Sequence, residues 1–418
     1  MNWRRRFGKD WGRLGLTFNS ATIGDIASVQ TGPFGSQLHN EDYVSIGTPI
    51  VTVEHLGQRK MSRQNLPCVS AADKRRLSKY TLEYGDLIFS RVGSVDRCSW
   101  VSEEEDGWMF SGRCLRVRPK DPLEIYHKYL YYFFSLESTK DFVRNIAVGA
   151  TMPSINTRLL SEVPITFPNI EQQHEIGDIL SAFDDRIEAN AKINHHLAQM
   201  AQAIFKSWFV DFEPWDGVMP DDWRDSTLDE LCAMIVKGVA PKYDDSTTQL
   251  VINQKCIRNR SIDLSLARSH KPKTITEKWL RYGDVLINST GEGTLGRAAQ
   301  FLFDLDNITV DSHVTIVRPK YKELIEYLGL WCVSRESLFA SMSSGSTGQT
   351  DLPRERLKLL KVLLPNVDTL RDFSGTVAPL IKKQIMGLEE SARLATLRDA
   401  LLPRFMSGEL SVAGLAAK

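Results

Sequence analysis

A seven-residue repeat of apolar positions runs through the middle of the chain and constrains the fold more than any other feature. Within residues 169–212, steps of four and three mark a seam, eight of whose ten positions are apolar. These positions are Ile176, Leu180, Phe183, Ile187, Asn190, Asn194, Leu197, Ala201, Ile204 and Trp208. The spacing predicts one amphipathic helix with a coiled-coil seam. At about 1.5 Å per residue the seam is about 50 Å long, so the helix needs a partner along its length.

Local signals support both ends of this helix and its pairing. Asn169 is a suitable N-cap, with Gln172 at the third position in a capping-box-like arrangement, and Pro214 follows the last turn. Asn190 and Asn194 are polar positions inside the seam, which fix pairing register at a cost in stability. They favour a coiled coil over the alternative, a long core helix of an ordinary α/β domain.

A second helical stretch, residues 366–407, is the predicted partner within the same chain. Its apolar positions are Phe373, Val377, Ile381, Leu388, Ala392, Ala395, Leu402 and Phe405. Gly408 provides a C-terminal stop. Pro379 lies inside the stretch and predicts a kink or a break there.

An internal repeat determines the predicted architecture. Residues 84–88 recur at 282–286 as Tyr-Gly-Asp followed by two aliphatic residues, and Val-Arg-Pro-Lys at 117–120 recurs unchanged at 317–320. Residues 149–168 align with 345–365, so these matches keep one order and an offset of 196 to 200 residues. The chain is therefore predicted to be a globular unit, a long helix, a second globular unit and a second long helix. Each unit has mixed α/β (α+β) composition, with a pseudo-twofold relation between the halves.

The predicted boundaries follow from these signals. They are a basic tail (1–21), a first unit (22–168), a first long helix (169–213), a linker (214–226), a second unit (227–365), a second long helix (366–410) and a tail (411–418). Thr22 and Thr227 open the units as capped helical turns. Residues 49–53, 86–90 and 314–317 are predicted as strands, and residues 123–134 and 324–333 as helices.

Composition limits the class of protein and of partner. The chain has 52 basic and 52 acidic residues, so binding to nucleic acid requires the basic residues to be grouped in patches. No run of 18 apolar residues predicts a membrane span, and the start lacks the apolar core of a signal peptide, which predicts a cytoplasmic protein. Six scattered cysteines without a CxxC pair indicate reduced thiols.

Motifs that could suggest catalysis lack the surrounding residues that a catalytic site requires. Residues 291–296 satisfy G-x-G-x-x-G, but the continuation is too short for the helix that a dinucleotide site requires, so a tight loop is predicted. Ser312 and His313 lack an identifiable third partner, and no Walker A motif occurs. The eight histidines never reach metal-ligand spacing. We therefore predict no catalytic residue, no metal site and no cofactor in this chain.

Basic clusters at matching places in the two units are the candidate phosphate contacts. The first comprises Arg59, Lys60, Arg63, Lys74, Arg75, Arg76 and Lys79, and the second Lys255, Arg258, Arg260, Arg268, Lys271 and Lys273. A single cluster is usually only a solvated surface, whereas two at equivalent positions in a neutral chain favour nucleic acid. Polar residues of nearby loops are candidate base contacts: Ser36, Gln37, Arg91, Ser94, Arg97, Lys242, Tyr243, Gln254, Thr294, Arg297 and Gln349.

Several motifs together resemble the specificity subunits of type I restriction-modification systems. They are Thr-Gly-Pro-Phe-Gly-Ser at 31–36 with Asp42-Tyr43, Tyr-Gly-Asp-Leu at 84–87, Pro-Asn-Ile-Glu-Gln-Gln at 168–173, residues 203–212, residues 397–403 and Ser-Gly-Glu-Leu at 407–410. The resemblance covers nearly the whole chain. In the second unit Lys-Gly-Val-Ala-Pro at 237–241 replaces the glycine-rich entry, which leaves that loop's contacts open.

The resemblance implies a non-catalytic subunit with two target-recognition domains, each binding half of a split, asymmetric sequence in double-stranded DNA. The long helices would form an antiparallel coiled coil that separates the domains, by roughly 15 base pairs at about 3.4 Å per step. It would dock two methyltransferase subunits. S-adenosylmethionine, ATP and Mg²⁺ would bind the methyltransferase and restriction subunits. The alternative is a coiled-coil scaffold with two protein-binding domains. A self-sufficient methyltransferase is disfavoured, because no Asn-Pro-Pro-Phe/Tyr or Asp-Pro-Pro-Tyr motif occurs.

Overall fold

Two strand-rich units and two helices of 40 residues make up the computed structural model, which describes residues 18–57, 59–149, 151–271, 277–343 and 351–411. The first unit comprises the chain up to residue 188 and from residue 392 onward, and the second comprises residues 189–391. Each unit therefore contains part of both long helices. Among the described residues, no helix is both long and apolar enough to cross a bilayer.

The described residues of the first unit form ten strands and five short α-helices. The strands are β1 (Asn19–Thr22), β2 (Ala27–Thr31), β3 (Tyr43–Val44), β4 (Thr48–Val51), β5 (Cys68–Val69), β6 (Leu87–Ser90), β7 (Cys98–Trp100), β8 (Met109–Phe110), β9 (Cys114–Pro119) and β10 (Pro164–Phe167). The helices are α1 (Ile23–Ile26), α2 (Ala71–Arg76), α3 (His127–Ser135), α4 (Glu137–Ile146) and α5 (Thr157–Ser161).

These strands form two four-stranded sheets and one pair. An antiparallel sheet has the order β2-β9-β6-β7, a second sheet has the order β3-β5-β4-β8 with β4 and β8 parallel, and β1 pairs with β10. One apolar core joins the β2-β9-β6-β7 sheet to α3 and to the long helices through Leu180 and Phe405. A separate apolar core includes Ile50, Val69 and Phe110 of the β3-β5-β4-β8 sheet.

The second unit repeats this plan. Its strands are β11 (Arg224–Thr227), β12 (Cys232–Lys237), β13 (Leu250–Ile252), β14 (Ile257–Arg258), β15 (Ser261–Ile262), β16 (Arg268–Ser269), β17 (Val285–Asn288), β18 (Ala298–Gln300), β19 (Ile308–Val310), β20 (Val314–Pro319) and β21 (Lys361–Leu364). The main sheet has the order β12-β20-β17-β18, which matches β2-β9-β6-β7 strand for strand. The predicted internal repeat is therefore confirmed in topology.

The described residues of the second unit form four short α-helices. They are α7 (Leu228–Leu231), α8 (Ile325–Val333), α9 (Glu336–Ser341) and α10 (Arg354–Lys358), and the long helices are α6 (Ile170–Phe209) and α11 (Val367–Met406). The predicted helix over residues 324–333 corresponds to α8, and the one over 123–134 to α3. The core of this unit packs α8 and the main sheet against Phe205, Phe209 and Phe373 of the long helices.

The seam predicted for α6 is confirmed. Asn169 caps the helix by accepting a hydrogen bond from the Gln172 backbone N–H at 3.0 Å. All ten seam positions are buried or half-buried, and Leu180 is fully buried. Phe205 and Phe209 are also buried although they lie off the seam, because they contact the core of the second unit.

The α11 helix departs from its predicted seam. The prediction at Pro379 was a kink or a break, and the helix continues through this residue without a break. Leu388 is 44% exposed, so its assignment to the seam is wrong, and Ala392 is exposed. Gly387 is buried instead, because Asn194 of α6 lies over it and leaves no room for a side chain. Val377, Ile381, Ala395 and Leu402 are buried or half-buried as predicted, and the helix ends with Gly408 in a left-handed conformation.

The two long helices pack antiparallel within the second unit. Asn190 donates a hydrogen bond to Glu390 at 2.9 Å, and Asn194 donates one to the Gln384 carbonyl at 3.2 Å. The Phe209 ring lies 4.7 Å from that of Phe373. Partner numbers on α11 thus fall as those on α6 rise. In the first unit, Arg398 of α11 is ion-paired with Asp184 of α6.

Two predicted boundaries differ from the observed elements. The strand β1 begins at Asn19 and pairs with β10, so the first unit starts before residue 22. Within the predicted linker, Trp223 is buried against Phe209 and Trp215, and β11 begins at Arg224. Aromatic burial therefore makes this segment part of the second unit. Residues 1–17 and 412–418 of the predicted tails lie outside the described residues.

Candidate nucleic-acid interface

Four loops converge at one end of the main sheet in the first unit. The Arg91 backbone N–H donates to the Arg113 carbonyl at 2.9 Å, and the Ile155 N–H donates to the Arg91 carbonyl at 2.9 Å. The Gly93 N–H donates to the Pro153 carbonyl at 2.8 Å. The loop after β2 contacts the loop before β9, because Gly32 and Gly112 allow the two backbones to approach closely. The loops after β2 and β6 and those at 111–113 and 148–155 therefore share one surface.

The second unit builds the same frame from different residues. The Ser289 backbone N–H donates to the His313 carbonyl at 2.8 Å, and the Leu352 N–H donates to the Ser289 carbonyl at 2.8 Å. These bonds correspond to the Arg91–Arg113 and Ile155–Arg91 bonds of the first unit. The strand ends also agree. The Ser90 N–H donates to the Arg97 carbonyl, and the Asn288 N–H donates to the Arg297 carbonyl.

The entry loop of the second unit keeps the glycine that the frame requires. The Gly32 N–H donates to the Cys114 carbonyl at 3.3 Å, and the Gly238 N–H donates to the Val314 carbonyl at 2.9 Å. A side chain on Gly238 would collide with the Val310 and Asp311 carbonyls, as one on Gly32 would collide with those near Ser111. The altered sequence at 237–241 therefore preserves the backbone geometry while changing the side chains around it.

Side chains at matched positions of the frame are chemically different. The matches are Thr31 with Lys237, Ser90 with Asn288, Arg91 with Ser289, Arg113 with His313, and Ser154 with Asp351, whereas Arg97 and Arg297 keep their type. Arg113 and His313 are both exposed. The two surfaces thus share a backbone scaffold and present different hydrogen-bonding groups.

In the second unit these polar groups form a connected network. Gln254 donates to the Thr290 hydroxyl at 2.5 Å, and that hydroxyl lies 2.8 Å from His313 Nδ1. Lys237 is ion-paired with Asp351 at 2.6 Å. Burial raises the pKa of the Asp311 carboxyl, which the His313 backbone N–H partly opposes by donating to it at 2.9 Å. The network holds the loop after β17 in place beside Gln254.

Several residues predicted as base contacts lie on these surfaces. In the first unit Ser36, Ser94 and Arg97 are exposed, Arg91 is half-buried, and Gln37 accepts a hydrogen bond from Tyr80 at 2.8 Å. In the second unit Lys242 and Tyr243 are exposed and Gln254 is half-buried. Thr294 and Arg297 hydrogen-bond within their own loop. Gln349 lies outside the described residues.

Three predicted phosphate contacts are occupied by carboxylates of the protein itself. Arg59 is 8% exposed and bonds Asp185 at 2.5 Å and Glu188 at 3.2 Å on α6. Lys60 is ion-paired with Glu188 at 2.9 Å. Arg63 is ion-paired with Glu104 and Glu105. Arg59 is buried by these contacts, so we do not retain it as a phosphate contact. The side chains of Lys60 and Arg63 are 42% and 51% exposed, and their assignment stays a prediction.

The remaining basic residues of the described ranges lie at or near the surface, where Arg76 also pairs with Asp73 at 2.7 Å and Arg260 with Glu336 at 3.9 Å. Arg75 and Arg76 are exposed in the last turn of α2, with Lys74 half-buried beside them. Arg258 and Arg260 are exposed on the β14–β15 hairpin, whose turn places Asn259 and Arg260 at positive φ. Lys273 lies outside the described residues.

Sequence reasoning missed two residues of this surface, Arg113 and His313. Each immediately precedes a strand of the main sheet. The repeated Val-Arg-Pro-Lys motif could have identified both, because they stand at the same distance before it. The 291–296 loop contains no helix and leads into β18, which agrees with a tight loop rather than a dinucleotide site. The described ranges contain no His/Cys/Asp/Glu group arranged to hold a metal ion.

Comparison with known proteins shows which proteins the chain resembles. The model of the type I restriction modification DNA specificity domain matches residues 16–199. The chain is 27% identical to the type I restriction enzyme MjaIX specificity subunit of Methanocaldococcus jannaschii, over 71% of each protein. It is 22% identical to the HindI specificity subunit of Haemophilus influenzae, over 80% of this chain and 88% of that one.

A solved structure has the same fold. The crystal structure of the type I restriction-modification S subunit from M. genitalium superposes with a TM-score of 0.61 at 19% identity, covering 94% of this chain and 97% of that one. Its likeness supports the architecture of two α/β units with long paired helices. The matching domain and these relatives together make the chain similar, over most of its length, to the specificity subunits of type I restriction-modification systems.

Proposed function

We propose that this chain gives a type I restriction-modification complex its DNA sequence specificity, with each unit binding one half of a bipartite, asymmetric target. The observation that carries the proposal is the pair of matched loop surfaces. One backbone frame is built twice, and its matched side chains differ at Arg91 and Ser289 and at Arg113 and His313. Two equivalent surfaces with different donors and acceptors suit two different half-sites, because base edges are distinguished by their hydrogen-bonding patterns.

Affinity and specificity are assigned to different residues. Phosphate contacts come from exposed arginines beside the loop surfaces, Arg75 and Arg76 in the first unit and Arg258 and Arg260 in the second. Such contacts bind any sequence and fix orientation, whereas loop side chains such as Arg113 and His313 discriminate between bases. This division lets a chain with no net charge bind DNA, because its positive charge is local.

Catalysis is assigned to partner subunits. The chain directs adenine methylation by methyltransferase subunits, two per complex, and restriction by a motor and nuclease subunit. S-adenosylmethionine, ATP and Mg²⁺ bind those partners. Support for this assignment comes from the relatives, which are named as specificity subunits of type I restriction enzymes.

We assign the spacing of the half-sites to the long helices. Deleting residues 191–197 with residues 384–390 removes one heptad from each helix and keeps their antiparallel pairing. The deletion shortens the pair by about 10 Å, or about three base pairs, at about 1.5 Å per residue. The preferred gap between half-sites should shrink accordingly, and an unchanged gap would reject this role.

The central experiment is a selection from pooled random duplex DNA with the chain and its methyltransferase subunits. Enrichment of two short motifs separated by a fixed gap supports the proposal. The rival function, a coiled-coil scaffold whose units bind proteins, predicts no retention of DNA even at low salt. Methyl transfer by the isolated chain with labelled S-adenosylmethionine would overturn the non-catalytic assignment.

A further inference from the structure

Each unit exposes an aromatic ring on the loop that leaves the first strand of its main sheet. Phe34 follows β2 and is 54% exposed, and Tyr243 follows β12 and is 42% exposed. The rings do not occupy matched positions, since Phe34 is two residues beyond Gly32 whereas Tyr243 is five residues beyond Gly238. Duplication of the unit therefore does not by itself explain why both loops present a ring.

An arginine covers each of these rings. The Arg91 guanidinium lies 5.6 Å from the Phe34 ring centre and also donates a hydrogen bond to the Gly112 carbonyl at 3.2 Å. The Arg268 guanidinium lies 3.5 Å from the Tyr243 ring centre. Among the described residues, the arginine–aromatic pairs on Trp100, Phe110 and Trp331 are built on buried rings and belong to the cores. The Arg63–Trp108 pair lies on a half-buried ring that packs against the core of the β3-β5-β4-β8 sheet. The Phe34 and Tyr243 pairs instead face solvent.

Both rings stand on backbone that is fixed from two sides. The Phe34 carbonyl accepts hydrogen bonds from the Gln37 and Leu38 N–H groups at 2.8 and 3.2 Å, and Leu38 is buried. The Lys242 carbonyl accepts a hydrogen bond from the Lys271 N–H at 2.8 Å, and Tyr243 pairs with His270 across the same ladder. Exposed basic side chains lie near both rings, Arg113 in the first unit and Lys242 and Lys271 in the second, where Asp244 and Asp245 directly follow Tyr243.

We propose that the Phe34–Arg91 and Tyr243–Arg268 pairs are stacking platforms, each of which holds one nucleobase that leaves the duplex stack when its half-site binds. This inference rests on the proposed function and adds a deformation of the DNA to it. Aromatic rings and guanidinium planes stack on any base, and apolar wedges beside a groove unstack base steps. Each pair provides both elements, an exposed ring and a guanidinium plane, at one place on the surface.

The test uses the full chain with its methyltransferase subunits and the duplex selected above, with 2-aminopurine placed at each position in turn. Binding of the wild-type complex should raise the 2-aminopurine fluorescence at one position in each half-site. That increase should depend on the platform of the unit that binds the half-site. Phe34→Ala should abolish the increase in the first half only, and Tyr243→Ala in the second half only. Each substitution should weaken binding by roughly 5- to 150-fold. Phe34→Tyr and Tyr243→Phe keep a ring and should keep both the signal and the affinity.

Exposed aromatic residues away from these loops provide matched controls. Tyr84 is 52% exposed and Tyr321 is 60% exposed, and substituting either by alanine should change neither readout. The stacking proposal is wrong if wild type binds the split target while Phe34→Ala and Tyr243→Ala keep its fluorescence pattern, whatever their affinity. In that case the specificity role still stands. If wild type binds no target selectively, the proposed function itself fails.

Discussion

Arg318 forms a two-pronged, buried ion pair with Asp284. Its Nε donates to Oδ1 at 2.8 Å and its Nη2 to Oδ2 at 2.7 Å, and Asp284 is 1% exposed. Arg118 and Asp86 repeat this pair in the first unit at 2.6 and 2.7 Å. The adjacent Gly85 and Gly283 have φ of +87° and +93°, a conformation that favours glycine. The repeated Tyr-Gly-Asp and Val-Arg-Pro-Lys motifs are therefore parts of one structural clamp.

Arg318→Met should strongly destabilise the second unit. Removing one partner leaves the Asp284 carboxylate buried without its counter-charge, which costs about 3–5 kcal/mol. Hydrogen exchange of the β17 and β20 amides measures the loss in that unit. Arg281→Met, at a neighbouring exposed position, is the control and should have little effect. Equal protection in both variants would show that the clamp contributes nothing.

Glycines of α11 should respond oppositely to the same substitution. A Cβ on Gly375 meets nothing within 4 Å, so Gly375→Ala should raise the free energy of unfolding by about 0.5–1 kcal/mol. A Cβ on Gly387 would lie 2.8 Å from Asn194 Oδ1, so Gly387→Ala should lose that gain. Asn194→Ala should restore it in the double variant. Thermal unfolding of the four variants tests this coupling, and additive effects would contradict it.

Acid should weaken the first unit through His127. Burial lowers the pKa of this imidazole to about 4. The ring contacts the rings of Tyr84 and Tyr126. The folded pKa is below the unfolded value of about 6.5, so the unfolded state binds the proton first as pH falls. Stability should therefore drop between about pH 6.5 and 4, by on the order of 2 kcal/mol.

Denaturation as a function of pH measures this effect. His127→Phe should flatten the acid limb relative to wild type, because the variant has no proton to bind at that position. His195→Gln, at an exposed site on α6, should leave the curve unchanged. An acid limb that keeps its slope in His127→Phe would assign the loss to other groups.

Charge reversal should separate phosphate affinity from base reading. Arg75→Glu with Arg76→Glu, or Arg258→Glu with Arg260→Glu, should weaken binding to all sequences alike. Each lost phosphate contact should reduce the slope of log affinity against log salt by about 0.9. Arg158 and Arg371, with side chains 84% and 61% exposed, are the control sites. An unchanged salt slope would place the phosphate contacts elsewhere.

Local periodicity and repetition were sufficient to predict most of the architecture. The seam of α6 and the doubling of the units depend on spacing within the sequence, and both are observed. The seam of α11 was less predictable. Gly387 takes the buried position that was predicted for Leu388, because the Asn194 side chain of α6 lies against it. That constraint lies on a residue distant in sequence.

The interface was predictable only in outline for the same reason. Arg59 belongs to a basic run in the sequence, but its partner Asp185 lies 126 residues away and removes it from the surface. Residues 237–241 replace the glycine-rich entry of the first unit, yet Gly238 makes the contact that Gly32 makes. Charge and loop position identify the surface, whereas long-range pairing decides which side chains remain available.

The most direct test of the account is to compare the DNA targets selected by two variants of the methyltransferase-bound chain. One carries Arg91→Ala and Arg113→Ala in the first unit, and the other carries Thr290→Ala and His313→Ala in the second. We predict that each variant loses sequence preference in one half-site, a different half for each, while the other half-site and the gap stay unchanged. Loss of preference in both halves from either variant, or selection of one uninterrupted motif by wild type, would contradict the account.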